Sequence, residues 1–196
     1  DGAFLSLTTQ RNARRSSTAA AYLVDAAKRP NLRIVRHATA ERILFRDGRA
    51  VAVEASVKGR LKRFDAAAEV IVSAGAVGSP ALLMRSGIGP AEQLTEYGIA
   101  VLSDRREVGG NLQEHPSVSI NKFVTVDTYN SRMKPWHIAG SLVNYLLNGK
   151  GPMATPAVQA MALARSHDDL SDPDLQLHFY PVGYDLGPEL LSAASA

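Results

Sequence analysis

The most informative stretch of the chain is GAVGSPALLMRSGIG, which occupies residues 75–89. Directly before it, the continuous apolar centre of Glu69–Ser73 predicts a strand buried on both faces, as in a parallel sheet. Ser79 and Pro80 then predict the cap and the first position of a helix. Gly87 predicts the end of that helix, where a left-handed residue is common. A strand, a tight turn and a helix in this order indicate an α/β fold.

Two interpretations are open for the small residues that end the predicted strand, Ser73–Ala76. Ligands bind at the carboxyl ends of strands in α/β sheets, and small side chains let a ligand approach the backbone. The same residues would also allow a helix to pack closely on the sheet. The pattern alone does not choose between a ligand site and close packing.

An antiparallel meander is predicted between residues 42 and 66. Asp47-Gly48 separates two strand-like runs and is a strong hairpin signal, and Lys58-Gly59 predicts a second turn. The other predicted strands are Asn31–Val35, Val118–Val126, Val158–Ala164 and Leu175–Tyr180, and the other predicted helices are Ala19–Val24, Pro90–Tyr97 and Trp136–Asn148. The residues expected to face inward on the last helix are Leu142, Val143, Leu146 and Leu147.

The composition is that of a globular protein, with 45% hydrophobic and 21% charged residues among 196. It excludes a disordered tail, a collagen-like fibre and a coiled coil, and no apolar stretch reaches the length of a membrane span. Cysteine is absent, which excludes disulfides and a cysteine nucleophile. Because this absence fits a reducing compartment, we expect a cytoplasmic protein. The histidines lack metal-ligand spacing, and no metal site is expected.

Positive charge is concentrated towards the N-terminus. Residues 1–63 contain 14 Lys and Arg against 5 Asp and Glu, whereas residues 64–196 contain 8 against 14. A basic segment is one way to bind nucleic acid or another polyanion. However, the basic residues alternate with apolar ones, and the aromatic side chains available for base stacking are only Phe4, Tyr22 and Phe45. A solvated surface is the favoured interpretation, so no nucleic-acid partner is expected, and polyanion binding is the alternative.

Residues 75–89 resemble the second signature sequence of the glucose–methanol–choline (GMC) oxidoreductases and match each of its fixed positions. The sequence VGGNLQEHP at residues 108–116 is similar to the family's Val-Gly-x-Asn-Leu-Gln-Asp-His-Pro segment, with Glu114 in place of Asp. The resemblance covers residues 11–116 well and is to choline dehydrogenase-like members.

The resemblance implies an FAD-dependent oxidoreductase that oxidises the CH–OH group of an alcohol, with a proton passing to a histidine and a hydride to the flavin. It implies that residues 1–115 form the central part of a Rossmann-like FAD-binding domain, with the meander as an insertion. Residues 116–196 would form the first part of a substrate domain with an antiparallel sheet. Choline, aliphatic, aryl and sugar alcohols stay open as substrates, as do oxygen and a quinone as electron acceptors.

Four cofactor-binding residues follow from the resemblance. Ala40 matches a position, usually Val, whose backbone contacts the adenine of FAD. Ser73, Ala74 and Gly75 match the end of a strand that lies close to FAD. His115 matches a loop near the domain junction, where we expect it to order the loop and not to contact the substrate.

No catalytic residue is expected in this chain. In the family, the Gly-x-Gly-x-x-Gly turn that cradles phosphates precedes the part matched here, and the catalytic histidine follows it. None of His37, His115, His137, His167 and His178 stands in the family's catalytic context. We therefore expect an internal fragment that does not turn over substrate alone. Its strands Asn31–Val35 and Glu69–Ser73 would be unpaired apolar edges through which it could oligomerise.

Overall fold

Regular secondary structure is spread over residues 2–183, the part of the chain that the computed structural model describes. The strands in chain order are β1 Gly2–Leu5, β2 Gln10–Arg11, β3 Arg14–Arg15, β4 Ala38–Arg46, β5 Arg49–Val57, β6 Arg60–Asp65, β7 Ile88–Gly89, β8 Ser103–Asp104, β9 Ala160–Ala164 and β10 Leu175–Phe179. The α-helices are α1 Val24–Ala26, α2 Gly75–Arg85, α3 Ala91–Glu96 and α4 Pro135–Asn148. Within residues 2–183, no helix combines the length and the hydropathy needed to cross a membrane.

The chain divides into two compact units. One is Pro30–Ser117, and the other combines Asp1–Arg29 with Val118–Ala196. The assignment of residues 1–115 to a cofactor domain and of residues 116–196 to a substrate domain stays a prediction.

In the unit Pro30–Ser117, strands β4, β5 and β6 form the predicted antiparallel meander. Its two turns lie at the predicted positions, with positive φ angles at Asp47 and Gly48 and again at Lys58 and Gly59. Strand β4 is an edge strand, because β5 pairs with it on one side only. A register shift between Ala40 and Arg42 marks a bulge in β4. The sequence therefore predicted the meander but not this bulge.

The hydrophobic core of the described residues belongs to the same unit. Its buried members are Ile43, Ala52, Ala55, Leu82 and Leu94. They come from β4, β5, α2 and α3, and α2 packs on β4. The stretch at residues 75–89 thus supplies the helix that covers the meander.

Helix α2 begins earlier than the sequence predicted. The predicted cap Ser79 and the predicted first residue Pro80 both lie inside the helix, which begins at Gly75. The Ser79 hydroxyl still serves the N-terminus, because it accepts a hydrogen bond from the backbone N–H of Ala74 at 2.9 Å. The predicted end is confirmed, since Gly87 follows the helix with a φ of +87°.

Two strands predicted from their apolar content are not strands. Glu69–Ser73 and Asn31–Val35 form no pairs with any strand in residues 2–183, and Ile71 is 79% exposed. A strand requires a neighbour that takes up its backbone hydrogen bonds. Both segments have the apolar residues of a buried strand, but no strand within residues 2–183 pairs with them.

In the other unit, β9 lies between β1 and β10 in an antiparallel sheet. The strands β9 and β10 and the helix α4 confirm the predictions for Val158–Ala164, Leu175–Tyr180 and Trp136–Asn148. The helix predicted at Ala19–Val24 is present as a π-helical turn, Ala19–Leu23, that continues into α1.

Two further predictions for this unit were wrong. Val118–Val126 forms no strand, and its apolar side chains are exposed. On α4 the four residues expected to face inward, Leu142, Val143, Leu146 and Leu147, are exposed. The neighbouring Tyr145 faces the unit instead and donates a hydrogen bond from its hydroxyl to the Ala13 carbonyl at 3.2 Å. Tertiary contacts thus favoured the other side of the helix.

Asp174 closes the loop between β9 and β10, and this arrangement predicts a pH-dependent stability. Its two carboxylate oxygens accept hydrogen bonds from the hydroxyl and the backbone N–H of Ser166, at 2.6 Å and 2.7 Å. These hydrogen bonds hold the pKa of Asp174 below its ordinary value. The resulting stabilisation is present above the pKa of the unfolded chain and is lost as the pH falls through the lower folded pKa.

We expect Asp174→Asn to lower the urea midpoint at about pH 7, and the difference from wild type to shrink towards about pH 3. The matched control is Asp169→Asn, in the same loop, whose side chain takes part in no hydrogen bond within the described residues. Equal midpoints for the two variants at neutral pH would contradict this role of Asp174.

Candidate functional site

The N-terminus of α2 is open and lined by small residues. Gly75 has a φ of +84°, and apart from its chain neighbours and the backbone of its own helix no atom lies within 4 Å of the position that a Cβ would take there. Ser73 and Ala74 are exposed. Ala74 is the N-cap residue, and its side chain forms no capping hydrogen bond. The first N–H groups of a helix have no partner within it and are available to an oxygen of a ligand. The three residues predicted here thus lie where a ligand can approach the backbone.

Ala40, the fourth predicted residue, is held at the other end of α2. The Arg85 guanidinium donates two hydrogen bonds, each of 3.0 Å, one to the Ala40 carbonyl and one to the Glu41 carbonyl. These carbonyls lie at the bulge in β4. No signal in the sequence predicted this contact, because 45 residues separate Ala40 from Arg85.

Ser86 also forms a hydrogen bond to β4. Its buried hydroxyl accepts a hydrogen bond from the Ile43 backbone N–H at 2.8 Å and donates one to the Leu82 carbonyl at 2.6 Å. The N–H of Ile43 belongs to an edge strand, and it would lack a partner in this buried place without Ser86. The last residue of α2 and the residue after it therefore hold three backbone groups of β4.

Ser86→Ala is expected to destabilise the chain by about 2 kcal/mol, because it leaves the buried Ile43 N–H without an acceptor. The measurement is a urea unfolding curve followed by circular dichroism. Ser73→Ala is the matched control, since Ser73 is exposed. A Ser86 variant as stable as this control would show that Ile43 finds another partner.

The two parts of the predicted site are linked through α2: Gly75 is its first residue, and Arg85, whose side chain contacts Ala40, is its last. No hydrogen bond among the described residues joins Ala40 to residues 73–75, and the link between them is α2 with its contact from Arg85. A helix of eleven residues is about 16 Å long.

A cleft beside α2 was not predicted from the sequence. Its volume is about 260 Å³, and it is lined by Ala76, Val77, Pro80, Ala81, Met84, Gly109, Gly110 and Leu112. A Cβ at Gly109 would lie 3.3 Å from the Met84 sulfur, so a larger residue there would crowd the helix. The cleft lies between the two segments on which the family resemblance rests, residues 75–89 and 108–116. Both segments are rich in glycine, and this was the sequence signal from which the cleft could have been predicted.

The histidines lie outside this site. All five are exposed, and neither this cleft nor a second open hollow at Asp104–Val108 includes one. His115 lies in a loop whose hydrogen bonds are local, such as that from its backbone N–H to the Glu114 carboxylate at 3.1 Å. Among residues 2–183, no group of three or more acidic or histidine side chains is arranged to hold a metal ion.

Comparison with known families identifies the chain. The model of the GMC oxidoreductases matches residues 2–117, more than half of the sequence. The chain belongs to the GMC oxidoreductase family. The family predicted from residues 75–89 and 108–116 is thereby confirmed.

Curated GMC relatives resemble the chain over most of its length. It is 44% identical over 172 residues to the oxygen-dependent choline dehydrogenase of Rhizobium johnstonii, covering 86% of this chain and 31% of that protein. It is 41% identical over 179 residues to the oxygen-dependent choline dehydrogenase of Pseudomonas putida, covering 89% and 32%. The chain thus spans about a third of the length of the curated relatives it matches.

Solved structures share the fold. An FAD-dependent oxidoreductase from Chaetomium thermophilum has a TM-score of 0.73 and 27% identity, covering 83% of this chain and 30% of that one. A fungal aryl-alcohol oxidase has a TM-score of 0.71 and 26% identity, covering 83% and 29%. These likenesses confirm the mixed α/β fold with antiparallel sheets. The family and its neighbours indicate FAD as the cofactor, as predicted.

Proposed function

We propose that this chain forms the central part of an FAD-dependent oxidoreductase that oxidises the CH–OH group of an alcohol. The observation that carries the proposal is the family match over residues 2–117, which includes α2 and its open N-terminus. The identity to oxygen-dependent choline dehydrogenases supports a choline-like alcohol and oxygen as the acceptor. Aliphatic, aryl and sugar alcohols are the other candidates, with a quinone as the other acceptor.

We place the FAD contacts at Ala40, Ser73, Ala74 and Gly75. The open space at Gly75 and the N–H groups of the first turn of α2, which have no partner within the helix, fit the oxygen-rich chain of a dinucleotide. The backbone of Ala40, which Arg85 at the last position of α2 contacts, binds the adenine in this proposal. When bound, FAD supplies the ring that accepts the hydride, and the residues of this chain bind and orient it.

We also propose that the proton acceptor of the reaction is none of the five histidines. None of them stands in the family's catalytic context, and none lines the cleft beside α2. The chain alone is therefore expected to leave an alcohol unoxidised even with FAD present.

Two further parts of the proposal concern location and association. The absence of cysteine supports a cytoplasmic enzyme. The exposed apolar segments Asn31–Val35 and Glu69–Ser73 support oligomerisation of the chain through these segments. Polyanion binding is not favoured, because the basic residues 1–63 are divided between the two compact units.

The test is a titration of the chain with FAD, followed by flavin fluorescence, with wild type and two glycine variants. Gly75→Ala and Gly59→Ala introduce the same strain, because both glycines have positive φ and open space around them. Only Gly75 belongs to the proposed site. We expect saturable binding that AMP competes with, weakened about tenfold by Gly75→Ala and unchanged by Gly59→Ala.

A folded chain that binds no FAD would contradict the proposed contacts. Equal affinities for the two glycine variants would contradict the role of Gly75. The same samples, mixed with choline under anaerobic conditions, should keep the absorption of oxidised flavin, and bleaching would show that the chain holds its own base.

A further inference from the structure

Arg85 forms hydrogen bonds to β4 although it is not part of the hydrophobic core of the unit. Its guanidinium bridges the carbonyls of Ala40 and Glu41, yet the side chain is exposed. The backbone at this place departs from regular pairing, because the register of β4 shifts between Ala40 and Arg42. One planar side chain thus fixes two successive peptide groups at an irregular point of an edge strand.

The geometry requires an arginine. The guanidinium carries several N–H donors in a rigid plane and can hold two acceptors at a set separation, whereas a lysine ammonium is a single point charge on a flexible stem. Ser86, the next residue, holds the N–H of Ile43. Ser86 secures the strand to the helix, and Arg85 sets the direction of the peptide groups at the bulge.

We propose that Arg85 is a positioning residue for recognition of the adenine of FAD. The inference rests on the proposed function, in which the backbone of Ala40 meets the adenine. A backbone contact needs a peptide group of fixed direction, and an irregular edge strand without Arg85 would sample several directions. If the binding-competent arrangement is present for only a fraction of the time, the observed affinity is reduced to that fraction of its full value. Arg85 itself does not touch the reacting atoms.

The test uses AMP as the adenine-bearing probe and the whole ¹⁵N-labelled chain, observed through its backbone amide signals. The variants are Arg85→Ala, Arg85→Lys and the control Arg63→Ala. Arg63 is an exposed arginine of the same sheet, whose side chain is paired with Asp65 at 2.8 Å. If Arg85→Ala does not fold, Arg85→Lys, which keeps the charge and most of the stem, provides the comparison.

In wild type we expect AMP to shift the amide signals of Ala40 to Arg42. Arg85→Ala should weaken AMP binding by about tenfold and move the same signals in the absence of ligand. Arg85→Lys should fall between the two, and Arg63→Ala should match wild type.

Two results would overturn the inference, and they differ. If wild type shows the AMP shifts and the Arg85 variants bind AMP as well as the Arg63 control, Arg85 has no positioning role and the proposed adenine contact stands. If folded wild type shows no AMP shift near Ala40, the proposed contact is wrong and the role of Arg85 falls with it.

Discussion

Gly87→Ala is expected to destabilise the unit Pro30–Ser117 by about 3 kcal/mol or more. Gly87 has a φ of +87°, and an added Cβ would lie 2.5 Å from the Ala100 carbonyl oxygen and 2.9 Å from Cγ of Leu102. Neither contact is sterically possible, and the nearer one is to backbone, which a side-chain rotation cannot relieve. The turn after α2 would have to open, and β7 with it.

Gly98→Ala separates this clash from the strain of a positive φ. Gly98 follows α3 as Gly87 follows α2, with a φ of +67° and no atom within 4 Å of the Cβ position. It should cost about 1 kcal/mol, the penalty of a left-handed alanine. Urea unfolding of both variants measures the difference, and equal losses would show that packing at Gly87 contributes nothing. Because α2 also carries the candidate site, Gly87→Ala should abolish FAD binding, whereas Gly98→Ala should retain it.

Leu94→Ala is the second substitution with a large expected effect, a loss of about 3 kcal/mol. Leu94 is 1% exposed, and its Cδ2 lies 3.6 Å from the position of a Cβ on Gly89. Helix α3 has only six residues, too few to be stable without tertiary contacts. The helix is therefore held mainly by the burial of this side chain.

Unfolding curves and hydrogen exchange of the α3 amides would measure the effect of Leu94→Ala. The control is Leu61→Ala on β6, where the side chain is 63% exposed and the expected loss is below about 1 kcal/mol. If α3 kept its protection in the Leu94 variant, its stability would come from the backbone and not from the core.

Local signals in the sequence predicted the turns and the C-terminal end of α2. The turns at Asp47-Gly48 and Lys58-Gly59, and the glycine that follows α2, lie where the pattern placed them. These features depend on the backbone preferences of one or two residues, and neighbours in space hardly change them. The family was predictable for a related reason, since its signature is a continuous run of residues.

Several predictions that needed a partner failed. Glu69–Ser73 has the composition of a buried strand and lacks a neighbouring strand within residues 2–183. The apolar face predicted on α4 is exposed, and Tyr145, on another face, makes the hydrogen bond to Ala13. Hydrophobic periodicity shows which face of an element is apolar, but it does not show whether anything covers that face.

The candidate site shows the same division. Its residue types, the small side chains at 73–75 and the alanine at 40, were visible in the sequence. Their arrangement was not, since it depends on Arg85 and Ser86 reaching across more than forty residues to the edge of β4. Short-range backbone preferences are written in consecutive residues and can be recognised there, together with the family. Hydrogen bonds between distant segments exist only once the helix has packed on the sheet, and so the tertiary structure alone determined how Ala40 is held.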